Sequence, residues 1–141
     1  EDEDEALGML LEALHLAPRD FYTNLQLGKL FLKRGQRQDA LRYLKMAQEL
    51  RPDEPEIFRL LSEAYLGTGD MESALTWGRR AAQARPDDAQ VHYQLGLVLA
   101  RMGLSEESAS EFRRSEQLPK KPEPSPLDRW RHIDLQASIS K

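Results

Sequence analysis

Residues 18–52 read PRDFYTNLQLGKLFLKRGQRQDALRYLKMAQELRP. Two helix-length stretches stand between the prolines, parted by a glycine. In the first, Leu27, Leu30, Phe31 and Leu32 recur at helical spacing. Gly35 follows at the point where a helix closes on a left-handed residue, a conformation that glycine alone takes without strain. The second stretch, about 37–50, carries Ala40, Leu41, Leu44, Ala47 and Leu50 on one face. Pro52 cannot continue that helix and biases Arg51 out of the helical region. The stretch predicts a helical hairpin.

Outward from this stretch the same pattern returns. Pro18, Pro52 and Pro86 are spaced by 34 residues, as are Gly35, Gly69 and Gly103, and Leu27, Leu61 and Leu95. Ala6, Ala40, Ala74 and Ser108 form a column of small residues, and Ala13, Ala47, Ala81 and Ser115 form a second. Several independent columns on one period over 100 residues establish a repeat. Gly28, Ser62 and Gly96 oppose the first small column and let the two helices of a hairpin approach closely. Asp20, Asp53 or Glu54, and Asp87 or Asp88 are placed to cap the first helix of each hairpin.

A 34-residue period of this kind resembles the tetratricopeptide repeat family, over residues 6–118. Residues 21–54, 55–88 and 89–118 read as three repeats, and 1–18 as the second helix of a partial one, as in a fragment of a longer protein. The family's first-helix aromatic is Phe58 here, with Asn24 and His92 as its counterparts; the Tyr/Phe one turn later is Phe31, Tyr65 and Leu99. The resemblance implies an all-α, right-handed superhelical array of antiparallel helix pairs, with seven repeat helices and no strand. The third repeat loses register where Pro119 arrives one residue early. Residues 119–125 read as a proline-rich linker. Residues 126–141 read as a capping helix or a mobile tail, with Leu127, Trp130, Ile133 and Ala137 on one face.

Composition narrows the function. Of the formal charge of −4, Glu1 to Glu5 contribute −5, so the rest of the chain is nearly neutral and offers no footprint for nucleic acid or an anionic membrane. No apolar run approaches the roughly 20 residues that cross a bilayer. Cysteine is absent, which removes disulfide and thiolate chemistry. It leaves the compartment unknown, with the cytoplasm slightly favoured.

His15, His92 and His132 lack a second ligand at metal spacing, so no metal or cofactor is expected. Gly67-Thr68-Gly69-Asp70 lies at an inter-helix turn without the Lys-Ser/Thr of a phosphate loop. The acidic pairs fall at helix starts, where carboxylates complement the dipole. Nothing marks an enzyme.

The resemblance instead implies protein or peptide binding in a concave groove lined by the first helices. Carried onto this chain, its columns give Tyr22, Leu25, Lys29 and Lys33, then Arg59 and Glu63, then Tyr93, Leu97 and Arg101. Leu32, Glu56, Leu66 and Gln90 lie alongside. Excess cations among tyrosines suit an extended partner with acidic and apolar residues. The Lys/Asn set with which some family members clamp a chaperone's terminal carboxylate is not reproduced. The alternative is a structural or oligomerisation segment of a larger enzyme or of an envelope or secretion assembly, and self-association stays open. Gly78 replaces the Leu10, Leu44 and Phe112 of its column, and Trp77 is the expected filler of that gap.

Overall fold

The computed structural model describes residues 2–120. The segment 126–141, expected as a cap or tail, lies outside them, as does most of the linker before it. Seven helices follow one another: α1 Asp2–Leu16, α2 Phe21–Lys33, α3 Arg37–Leu50, α4 Pro55–Thr68, α5 Met71–Ala84, α6 Ala89–Arg101 and α7 Ser105–Gln117. No strand occurs among the described residues, and the fold is all-α.

Each hairpin turns on the glycine column. Gly35, Gly69 and Gly103 have φ of 74°, 87° and 79°. The amide after each glycine reaches back to the preceding helix. Gln36 N donates to Phe31 O at 2.9 Å, Asp70 N to Tyr65 O at 3.0 Å, and Leu104 N to Leu99 O at 2.9 Å. Orphan carbonyls at each helix end are thereby satisfied, and the chain reverses within three residues.

Capping is less uniform than the acidic positions predict. Asp20 accepts from Thr23 N at 2.8 Å, and Asp88 from Gln90 N at 3.0 Å. Asp87 instead accepts from Arg114, at 3.3 Å. Glu54 holds the N-cap position of α4 without a side-chain bond, because Pro55 at the first helical position removes one donor that would need satisfying. Asp70 caps α5, accepting from Ser73 N at 3.1 Å and Ser73 Oγ at 2.7 Å.

Helices α2 and α3, α4 and α5, and α6 and α7 pair as hairpins, and α3 and α5 each also pack on the next first helix. The first helices touch in series, α2 with α4 and α4 with α6. Leu27, Ala40, Leu44, Ala47, Ile57, Ala64 and Ala74 are wholly buried. Close approach rests on matching a missing side chain with a large one. A Cβ on Gly28 would lie 2.5 Å from Leu44 Cδ2, and one on Gly96 would lie 2.7 Å from the Phe112 ring.

The middle hairpin departs from the expectation for Trp77. A Cβ on Gly78 would meet Ser62 Oγ at 3.1 Å and Leu95 Cδ1 at 3.3 Å, so a leucine of the next helix occupies that space. Trp77 packs on Phe58 instead, ring centroids 5.6 Å apart, with the Arg80 guanidinium within 4.7 Å of both rings. A leucine from α6 reaches the gap directly, whereas an indole beside it on α5 points to the neighbouring aromatic.

Candidate functional site

The serial contact of α2, α4 and α6 sets the first helices in one continuous wall, and the nine residues expected in a groove lie on these three helices. Their environments differ. Leu25 is 4% exposed and belongs to the core with Phe21, Leu41 and Leu60. It is a support beneath the wall and offers a partner no surface, which corrects its assignment as a contact residue. Its column mate Tyr93, on the last described first helix, is 53% exposed. The difference comes from position: α4 packs on α2, whereas no first helix follows α6 among the described residues.

The cations are largely neutralised within the chain, against the expectation of a basic groove. Lys29 Nζ meets Glu56 Oε1 at 2.5 Å, tying α2 to α4. Lys33 Nζ meets Glu3 Oε1 at 2.5 Å, tying α2 to α1. That hydrogen bond, with the charge of Lys33 behind it, lowers the Glu3 carboxyl below the usual glutamate range. Arg59 and Glu63 pair one turn apart on α4 at 3.7 Å. Long side chains of opposite sign in neighbouring columns find each other before they find a partner. Arg101 is exposed and makes no ion pair among the described residues.

What remains open on the wall is a stripe on α6. Tyr93, Leu97 and Arg101 stand at i, i+4 and i+8, one above another. Tyr93 rests against Phe112 of α7, centroids 5.6 Å apart, and Leu97 is half-buried between its neighbours. At the other end Tyr22 is held in place. The Arg51 guanidinium lies 4.8 Å from its ring and 4.3 Å from that of Phe21, and Arg51 Nη1 donates to Tyr22 Oη at 3.3 Å. Sequence reasoning missed Arg51. The signal was available: Arg51 and Arg85 form a column before the prolines, and Arg85 likewise reaches back to the N-terminus of its own hairpin's first helix, at Glu54, and forward to that of the next, at Asp88.

Groups with chemical potential are engaged structurally. His92 is buried, its Nδ1 2.6 Å from Glu111 Oε2 and its Nε2 2.6 Å from Pro86 O. Asn24, its column mate, likewise donates to Pro18 O at 3.2 Å and to Asp20 O at 2.8 Å. The polar members of this column therefore bind the proline carbonyl that ends the preceding helix. Among the described residues no group of three or more His, Cys, Asp or Glu side chains is placed to hold a metal, and no helix is long and apolar enough to cross a membrane.

Residues 25–89 match the tetratricopeptide repeat family profile. No curated protein matches the sequence. Among solved structures, MamA 41-end from Desulfovibrio magneticus RS-1 superposes with a TM-score of 0.77 at 25% identity, over 83% of this chain and 66% of that one. The MamA RS-1 ArsTM double mutant gives 0.76 at 24% identity, over 82% of this chain. A further MamA crystal structure gives 0.75 at 24% identity, over 99% of this chain and 79% of the other. The chain spans only 65% of the double mutant's length. These likenesses show a shared helical-repeat solenoid, and together with the family match they support a protein-interaction scaffold in general terms.

Proposed function

Residues 25–89 match the tetratricopeptide repeat family, and on that premise we propose that the wall of α2, α4 and α6 binds an extended peptide segment of a protein partner. The observation that carries the reading is the open stripe of Tyr93, Leu97 and Arg101 on α6. Tyrosine and arginine are the side chains that most often dominate interface energy. An aromatic, an aliphatic and a guanidinium with no ion pair among the described residues, in line, would take a segment with an apolar residue followed by a carboxylate. Tyr22, pinned by Arg51, extends the wall for a longer segment. The Lys29–Glu56 and Lys33–Glu3 pairs make those lysines contributors to attraction at a distance rather than direct ligands.

The test uses peptides selected from a random display library on the intact chain, then titrated by fluorescence anisotropy. Tyr93→Ala and Arg101→Ala should each weaken the selected peptides by about 30-fold, equivalent to roughly 2 kcal/mol. Arg59→Ala should weaken them as well. Lys33→Ala should act chiefly at low salt. Undiminished affinity in a Tyr93→Ala, Arg101→Ala double variant would move the site off the wall.

A further inference from the structure

The second helices of the array share an outward stripe. It is Arg42, Lys45 and Glu49 in α3, Thr76, Arg79 and Gln83 in α5, and Ser110, Arg113 and Gln117 in α7, each set 34 residues after the last. All nine side chains are exposed and polar. On α1 the same columns hold Gly8, Leu11 and His15, also exposed. Leu16 beside them is 85% exposed, and Gly8, Leu11, Glu12, His15 and Leu16 line one depression on this face. Three helices present charge where the fourth presents a glycine and leucines.

We propose that this face of α1 is a contact between two copies of the chain, with α1 packed antiparallel on the partner's α1. Positions 8, 11 and 15 have the three-then-four spacing of a helix–helix seam. In an antiparallel pair, Leu11 lies over the partner's Gly8 and Gly8 receives the partner's Leu11. Nothing lies within 4 Å of a Cβ on Gly8, so its place is open to a side chain from outside. The match repeats between chains what Gly28 with Leu44 and Gly96 with Phe112 do within one.

Charge selects the direction. The first turn of α1 carries Asp2, Glu3, Asp4 and Glu5, while its last turn carries His15, followed by Arg19. Glu3 and Asp4 already pair with Lys33 and Arg34 of their own chain, but Asp4 remains 73% exposed. An antiparallel pair sets this acidic turn beside the partner's His15, whereas a parallel pair would bring the two acidic turns together. One helix pair buries less area than stable dimers do, so the association is a weak one, in the micromolar range. It leaves the wall of α2, α4 and α6 free.

Sedimentation velocity of the 141-residue chain from about 1 to 300 μM tests this. The expected result is a shift from monomer to dimer mass that Leu11→Arg abolishes over the whole range. The circular dichroism spectrum and Tm of that variant should not change, because Lys45, Arg79 and Arg113 already occupy the column. The chain has no cysteine, so direction is read by oxidation. Asp4→Cys mixed with His15→Cys should crosslink to each other, and neither to itself. A monomer at every concentration, a dimer that survives Leu11→Arg, or Asp4→Cys self-crosslinks would overturn the proposal. Peptide affinity of Leu11→Arg should equal that of the unaltered chain, which separates this contact from the groove.

Discussion

Ser62 Oγ on α4 donates to the Ala74 carbonyl on α5 at 2.8 Å, and 34 residues later the same junction is tied from the opposite helix. There Ser108 Oγ on α7 donates to the Gly96 carbonyl on α6 at 2.9 Å. The first hairpin, with Gly28 against Ala40, has no hydroxyl at this point. Both serines are buried, so each bond replaces hydration that the folded chain denies them. Ser108→Ala should cost about 1 kcal/mol in urea unfolding. Ser62→Ala should cost somewhat more, because Gln94 Nε2 lies 3.5 Å from the same hydroxyl and would lose that neighbour too. Equal midpoints for both variants and the unaltered chain would show that the bonds contribute nothing.

The second small column makes a steric prediction. Ala47 and Ala81 are 0% and 1% exposed, and Ala81 packs with Phe58 and Val91 of the flanking first helices. Three extra carbons at either site have no room. Ala47→Leu and Ala81→Leu should each destabilise by about 1–3 kcal/mol. A lower urea midpoint at an unchanged m-value would confirm overpacking of a retained fold.

Asp70 links capping to pH. Its hydrogen bond from the Ser73 hydroxyl, then that from the Ser73 amide, holds the carboxyl below the usual aspartate range. The folded value lies below the unfolded one, so the cap contributes fully above the ordinary value of about 3.9 and is lost as pH falls through the lowered one. Asparagine caps without titrating. The Tm difference between the unaltered chain and Asp70→Asn should therefore stay constant at neutral pH and shift below about pH 4 in favour of the variant. A difference that does not move in acid would show that the carboxylate gains nothing from Ser73.

The exposed wall residues should separate binding from stability. Arg101→Ala removes an exposed side chain and should change unfolding free energy by no more than about 0.5 kcal/mol, and Tyr93→Ala, which loses only the contact with Phe112, by about 0.5–1.5 kcal/mol. Leu25→Ala, by contrast, should cost about 2–5 kcal/mol by opening a cavity under the wall. Comparable Tm values for all three variants would contradict the division between wall surface and wall support.

Much of this architecture was legible because the repeat writes each structural position three times. The glycine column placed the turns, and the leucine and alanine columns placed the buried faces. Leu25 shows where such reading stops. Its column is buried on α2 and open on α6, and that depends on which helix follows, which the column itself does not encode. Lys29 and Lys33 follow the same logic: their columns do not encode Glu56 and Glu3, which pair with them from other helices. Trp77 does not fill the gap at Gly78 because Leu95, a residue of the next repeat, occupies it.

The paired sizes inside each hairpin carry a consequence for how such a chain can be recombined. Gly28 faces Leu44 and Gly96 faces Phe112, while Ser62 faces Gly78. Joining α4 to α7 would drive the Phe112 ring into Ser62, and joining α2 to α5 would leave Gly28 opposite Gly78 across an empty volume. Toward the neighbouring repeat, however, Leu27, Leu61 and Leu95 are the same residue. Crossovers in the loops around Pro52 and Pro86 therefore transfer self-consistent units, whereas crossovers at Gly35, Gly69 or Gly103 separate halves that fit only each other. The hairpin is the heritable module of this array.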